Sequence, residues 1–143
     1  MTQHQNDNDR QYHIGLSRGD AAQKILLAGD PERVRRNAAR LDRIDGEWSC
    51  REFLTITGQW RGEQVTLMAT GIGASNIEIA MVELAAVVDD PILIRAGSCG
   101  GIDPAIALGD LVVSWGAVRM ENTSLTYVPE GYPAVAHPDV IQA

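Results

Sequence analysis

Apolar and polar positions fall in blocks along this chain, and their period changes from block to block. Lys24-Ile25-Leu26-Leu27-Ala28 is a short, nearly unbroken apolar run that stops at Gly29, the pattern of a strand covered on both faces. Asp30-Pro31-Glu32 then spells a helix start: a side-chain acceptor at the cap, proline at the first helical position and an acid in the first turn. Val34, Ala38 and Leu41 recur behind it at helical spacing, with Arg33, Arg35, Arg36 and Arg40 on the other faces. Phe53 to Gly58 and Val65 to Ala69 predict two strands joined through Gln59-Trp60-Arg61-Gly62 as a hairpin. Thr70-Gly71-Ile72-Gly73-Ala74-Ser75 leads into a helix carrying Ile77, Met81, Leu84 and Val88, which Asp89-Asp90-Pro91 stops. Ile92-Leu93-Ile94-Arg95-Ala96 predicts another buried strand, running into Gly97-Ser98-Cys99-Gly100-Gly101, and Leu111-Val112-Val113-Ser114-Trp115 a further one. Apolar strands alternating with helices predict an α/β fold, a mostly parallel or mixed central sheet flanked by helices.

The two ends differ from this middle. Residues 1–11 are polar with no apolar period, which predicts a disordered N-terminal tail, and residues 12–143 read as a portion of one domain. His137-Pro138-Asp139-Val140-Ile141-Gln142-Ala143 spells a helix opening with no length left to bury a face. A helix that short is unstable alone, and the sheet would keep an uncovered edge. The expectation is a truncated part of a longer architecture.

Composition narrows the function. Apolar residues make up 45% of the 143, within the globular range, and the net charge is −7. An acidic chain of this kind is a poor nucleic-acid binder, and no apolar run approaches the length of a bilayer crossing. The N-terminus carries no basic segment followed by an apolar one, so no signal peptide is read and a cytoplasmic location is expected. Cys50 and Cys99 form neither a paired metal motif nor a disulfide framework. Lys24 is the single lysine beside eleven arginines, and arginine suits bidentate capture of phosphate or carboxylate.

Three predicted strands end in glycine: at Gly29, at Gly71 to Gly73 and at Gly97 to Gly101. In open parallel sheets ligands bind beyond the carboxyl ends of strands, where glycine lets backbone N–H groups approach an anion closely. Arg33 lies one helical turn past Gly29, and Arg95 interrupts an apolar run two residues before Gly97. A buried arginine needs an anionic partner, either a ligand or an internal carboxylate. These glycines also serve tight turns with no ligand at all. Neither the dinucleotide-binding glycine motif nor the nucleotide-triphosphate loop occurs, which leaves a small-anion site of arginines and backbone amides.

The residues in question resemble the uridine phosphorylase branch of the nucleoside phosphorylases. His13-Ile14-Gly15-Leu16, Ala28-Gly29-Asp30-Pro31-Glu32-Arg33-Val34, Arg51-Glu52-Phe53, Thr70-Gly71-Ile72-Gly73 and Ile94-Arg95-Ala96-Gly97-Ser98-Cys99-Gly100 follow one another in that family's order. Leu125 to Ala136 also resembles the uridine branch more than the hexameric purine branch. The resemblance implies phosphorolysis: phosphate attacks C1′ of a pyrimidine nucleoside, releasing free base and ribose 1-phosphate, with no covalent nucleophile on the protein and no organic cofactor. It implies a phosphate site at Gly29, Arg33, Arg95 and Ser98, with Arg33 and Arg95 central to catalysis and Arg51 contributed by a neighbouring subunit. His13, also from the neighbour, would meet the ribose 5′-hydroxyl, Tyr12 would cover the sugar, and Ser98, Cys99 and Gly100 would border ribose and base. Cys99 stands where relatives often carry Thr, which removes a hydroxyl donor. Glu52 and the backbone of Ile72 match a monovalent-cation (potassium) site between subunits, whose third contributor aligns with Asn76 in place of the family's Ser.

The same resemblance implies a homo-oligomer built on dimers, up to a hexamer. The family's base-recognising Gln and Arg, and the Glu-Met-Glu segment that grips the ribose hydroxyls, have no match here, so this polypeptide alone is expected to bind phosphate weakly if at all and not to turn over nucleosides. Two further readings stand beside uridine cleavage: a purine or methylthioadenosine phosphorylase, or a nucleosidase, of the same fold, and a truncated non-catalytic remnant. The cluster Arg33, Arg51 and Arg95 favours phosphate over water as co-substrate.

Overall fold

A computed structural model describes residues 9–143, so most of the expected N-terminal tail (residues 1–8) lies outside the described residues. The chain divides into two compact units, Met1–Gly97 and Ser98–Ala143.

In the first unit five strands make one mixed sheet in the order β2-β3-β4-β1-β5: β1 Lys24–Ala28, β2 Arg43–Cys50, β3 Phe53–Trp60, β4 Glu63–Ala69 and β5 Ile92–Arg95. β1 pairs in parallel with β4 on one side and β5 on the other, while β2, β3 and β4 form an antiparallel meander. The hairpin expected after Phe53 closes through Arg61 and Gly62, at φ of 52° and 81°. Positive φ at both central residues is the turn whose twist matches the flanking strands.

Alternate residues of each strand feed two cores. Ile25, Leu27, Phe53 and Met68 point to one face with Ile14, Leu16, Leu84 and Val87. Ala28, Leu54, Ile56, Leu67 and Ala69 point to the other with Val34 and Ala38. Helix α1 (Pro31–Ala38) therefore covers one face and α2 (Ala74–Val87) the opposite one, as the apolar runs of β1 and β4 require. Asp30 caps α1 as expected, its side chain accepting from the Glu32 N–H, but the helix ends at Ala38 and leaves Leu41 in the following loop. On α2 the most buried positions are Ala80, Leu84, Val87 and the adjoining Val88, whereas Ile77 and Met81 are only partly covered.

Three expectations are corrected. The strand β2 was not anticipated, because Arg43-Ile44-Asp45-Gly46-Glu47-Trp48 is mostly polar and its register shifts between Ile44 and Gly46. A Cβ on Gly46 would fall 2.2 Å from the Trp48 ring, so glycine there makes room for the indole. β5 exists but is not buried: it pairs only with β1, and Ile92 and Ile94 are about half exposed at the sheet edge. Leu111 to Trp115 is not a strand. Its side chains are exposed, and the pairing nearby is one antiparallel bridge, Gly116 with Val135. An apolar run becomes a strand only where another strand completes its hydrogen bonds.

The second unit is otherwise irregular. It carries a short 3₁₀ turn at Ser124–Thr126 and helix α3, Pro138–Gln142, capped by His137 with proline at its start. Among the described residues no helix is long and apolar enough to cross a membrane.

The two-faced core gives a direct test. Leu84 has no exposed surface and Val82 is half exposed on the same helix. Leu84→Ala is expected to lower the unfolding free energy by about 2–5 kcal/mol in urea titration, and Val82→Ala to change it by no more than about 0.5 kcal/mol.

Candidate functional site

The parallel pairing of β1 with β4 and β5 brings three chain reversals to one edge. Ala28 is level with Ala69, and Leu27 with Arg95. Thr70 N–H donates to Ala28 O and Ala96 N–H to Leu27 O, each at 2.8 Å, so the ladders extend one residue beyond the strands. Gly29, Gly71 and Ala96-Gly97 thus emerge side by side at the carboxyl ends of β1, β4 and β5, the position at which open parallel sheets bind ligands.

Two arginines from different elements reach this edge. Arg33, in the first turn of α1, directs Nη1 to Ala96 O at 3.5 Å, at the outer limit of a hydrogen bond. Arg95, the last residue of β5, lays its guanidinium over the glycines. Nη2 lies 3.5 Å from where a Cβ on Gly29 would stand, and Nη1 2.7 Å from where one on Gly97 would stand. That Gly29 Cβ would also lie 3.2 Å from Gly71 O. The absence of a side chain at position 97 is what gives the Arg95 guanidinium its space, while at position 29 the tight neighbour is Gly71 O.

Arg95 is exposed, which corrects the expectation that it is buried. Among the described residues of this unit, neither Arg33 nor Arg95 has a carboxylate within ion-pair distance. The neighbouring Arg35, by contrast, meets Glu47 at 2.7 Å. The start of α1 contributes less positive charge than a bare helix terminus would. Asp30 Oδ1 occupies the Glu32 N–H at 3.0 Å, and Asp30 O accepts from Arg33 N–H. The capacity for an anion at this edge therefore rests on the two guanidinium groups.

Arg51 and His13 form a different cluster. Arg51 sits in the two-residue turn between β2 and β3 at φ 53°. Its guanidinium lies 5.1 Å from the centre of the Tyr12 ring, within cation–π range. The Tyr12 ring meets the His13 ring edge-on at 4.9 Å. The β2–β3 turn lies at the same end of the sheet as Gly29, but two to three strand spacings from β1, roughly 10–15 Å. The structure thus brings Arg33 and Arg95 together, and Arg51, Tyr12 and His13 together, as two groups.

Glu83 on α2 holds the second group in place, and sequence reasoning passed over it. Its carboxylate accepts from the backbone N–H of His13, from that of Ile14 at 2.8 Å, and from His13 Nδ1 at 2.6 Å. The available signal was one of only two charged residues on an otherwise apolar helix, the other being Glu78.

The remaining predicted residues are placed as follows. Glu52 and Asn76 converge on Gly71, where a Cβ would meet Asn76 Nδ2 at 2.7 Å and Glu52 Cγ at 3.3 Å, while Ile72 is 90% exposed. Carboxylate and carboxamide oxygens are donor types that a hard cation accepts. Ser98, Cys99 and Gly100 open the second unit in exposed, irregular chain. Both cysteines are free.

Because Gly97 has no positive φ and the atom a Cβ would meet there is the flexible end of Arg95, Gly97→Ala is expected to leave stability within about 0.5 kcal/mol of wild type in urea titration. The same substitution should move the Arg95 guanidinium, seen as displaced side-chain resonances of Arg95 in an NMR spectrum.

Comparison with known proteins agrees with this fold. The family model for the phosphorylase superfamily matches residues 23–143. The chain is 43% identical over 139 residues to a uridine phosphorylase of Thermococcus kodakarensis, covering 97% of this chain and 50% of that protein. It is 34% identical over 132 residues to a guanosine phosphorylase of Halorubrum lacusprofundi, covering 92% and 54%. Among solved structures, uridine phosphorylase from Vibrio fischeri superposes with a TM-score of 0.88 at 32% identity, covering 94% of this chain and 56% of the other. Purine nucleoside phosphorylase from Toxoplasma gondii gives 0.87 at 31%, covering 94% and 54%. The chain spans about half the length of the relatives it matches. From its sheet, its glycine-lined strand ends and these matches, the chain belongs to the phosphorylase superfamily and is uridine phosphorylase-like within it.

Proposed function

We propose that this chain supplies the phosphate-holding part of a nucleoside phosphorylase that cleaves uridine to uracil and ribose 1-phosphate. One observation carries the reading: Arg33 and Arg95, with no carboxylate partner among the described residues of their unit, approach the glycine-lined ends of β1 and β5. Two guanidinium groups over exposed backbone form a fork suited to a phosphate dianion. Phosphorolysis needs such a group more than it needs a nucleophile on the protein. The phosphate oxygen forms the new bond to C1′ as the C1′–N bond breaks and its electrons leave with the base. The work of the site is to position the dianion against an oxocarbenium-like transition state. A hydrolase using water has no such requirement.

In this reading Gly29, Arg33, Arg95 and Ser98 hold phosphate, and Cys99 and Gly100 border the nucleoside. The protein is a cytoplasmic homo-oligomer built from dimers, and His13 and Arg51 serve the neighbouring subunit's site. Support for that exchange is the separation of the two clusters: Arg51 and His13 are joined through Tyr12 and lie strands away from β1. Uracil is favoured as the base because the relative at 43% identity is a uridine phosphorylase. A purine base is the second reading, favoured by the matches to a guanosine phosphorylase and a purine nucleoside phosphorylase.

The test is phosphate titration of this chain by NMR or calorimetry, alongside Arg95→Ala and Arg33→Ala. Weak but saturable binding by wild type, reduced at least about tenfold by either substitution, is expected, since a charged hydrogen bond contributes about 1.5–3 kcal/mol. Equal binding by all three would refute the site. Phosphate-dependent uracil release from uridine by these 143 residues alone is not expected, because the family's base- and ribose-gripping residues have no match among them.

A further inference from the structure

The Glu83 carboxylate does more than fasten the N-terminal segment. Its Oε2 accepts the Ile14 N–H at 2.8 Å and the His13 N–H at 3.0 Å, and its Oε1 lies 2.6 Å from His13 Nδ1 with a longer 3.2 Å contact to the His13 N–H. The Glu83 side chain is 12% exposed and Ile14 is fully buried, whereas the His13 ring keeps about a third of its surface open. An ionised carboxylate only accepts hydrogen bonds, so the nitrogen facing it must carry a proton. Among the described residues, none hydrogen-bonds His13 Nε2.

We infer that Glu83 is a positioning residue that locks neutral His13 in the Nδ1–H tautomer and leaves Nε2 as an outward-facing hydrogen-bond acceptor. A ring nitrogen set in this way takes a hydroxyl donor and refuses a carbonyl or ether oxygen, because the tautomer is decided by the bond at the other nitrogen. The edge-on Tyr12 ring, 4.9 Å away, limits tilting of the imidazole. The ligand group it selects is a hydrogen-bond donor, such as a hydroxyl. Identifying that donor as a nucleoside's ribose hydroxyl rests on the phosphorolysis reading above, but the tautomer does not.

Glu83→Gln separates this role from simple anchoring. The two backbone N–H groups cannot change character, and turning an amide NH₂ toward both at Oε2 would leave donors facing donors at a part-buried site. The Gln oxygen therefore takes the Oε2 position and keeps the segment anchored, which puts the NH₂ against Nδ1. Histidine can adapt where the backbone cannot: Nδ1 becomes the acceptor and the proton moves to Nε2.

The experiment is long-range ¹H–¹⁵N NMR of the ¹⁵N-labelled chain at about pH 8.5, where an ordinary imidazole is neutral. The His13 signals are assigned by their loss in His13→Asn. Expected for wild type are a protonated-type Nδ1 and an unprotonated-type Nε2, and for Glu83→Gln the reverse. A wild-type ring that is Nε2-protonated, averaged between tautomers or protonated at both nitrogens would overturn the inference, as would a folded Glu83→Gln with the wild-type pattern. If Glu83→Gln fails to fold, the wild-type spectrum alone decides. No nucleoside or phosphate is present, so a failure here leaves the phosphorolysis reading untouched, and failure of phosphate binding leaves this one untouched.

Discussion

The parallel pairing of β1 with both β4 and β5 is the constraint on which the candidate site depends. Parallel neighbours point their carboxyl ends the same way, so a single register, Ala28 level with Ala69 and Leu27 level with Arg95, brings three turns to one edge. Parallel strands also need covered faces, and the alternation within β1 meets that need, sending Ile25 and Leu27 to the α2 side and Ala28 to the α1 side. Helix α1 starts directly from that edge, which is why Arg33, four residues after Gly29, returns to the end of β5. A slip of one residue in β1 would exchange its two faces and remove Arg95 from the level of Leu27.

The first unit holds its cations in three different situations. Arg35, Arg43 and Lys24 are paired with Glu47, Asp45 and Glu63, and Asp45 and Glu63 are held below the usual carboxylate range, chiefly by the hydrogen bonds from Arg43 and Lys24. Arg33 and Arg95 have no such partner among the described residues of their unit. In a chain of net charge −7, carboxylates are plentiful, so leaving two convergent guanidinium groups unpaired reflects where the fold puts them and not a shortage of acids. Arg51 is in a third situation, its charge set on the face of Tyr12. The His13–Glu83 pair anchors the segment carrying Tyr12 to α2, so the second cluster is fixed from the opposite face of the sheet to α1.

Much of this was legible in the sequence because the relevant signals are local. The apolar run ending at Gly29, the Asp30-Pro31 cap and the glycine after Arg61 each encode their own geometry, and they located β1, α1 and the β3–β4 hairpin. Arg33 and Arg95 stood out as charges bordering glycine turns. Signals that depend on partners distant in sequence were harder to read. β2 is polar, interrupted by a bulge, and becomes a strand only by pairing with β3. Leu111 to Trp115 is apolar enough for a strand but lacks a ladder. Ile92 to Arg95 reads as buried, yet its edge position leaves it exposed. Glu83 was passed over for the same reason: its importance comes from backbone N–H groups some seventy residues earlier.

The central claim is that Arg33 and Arg95 together form the anion site at the ends of β1 and β5. Its most direct test is a crystal structure of this chain with phosphate. A tetrahedral anion within about 2.7–3.2 Å of both guanidinium groups and beside Gly29 is the predicted result. Both arginines turned to carboxylates, with phosphate bound elsewhere or absent at saturating concentration, would contradict it.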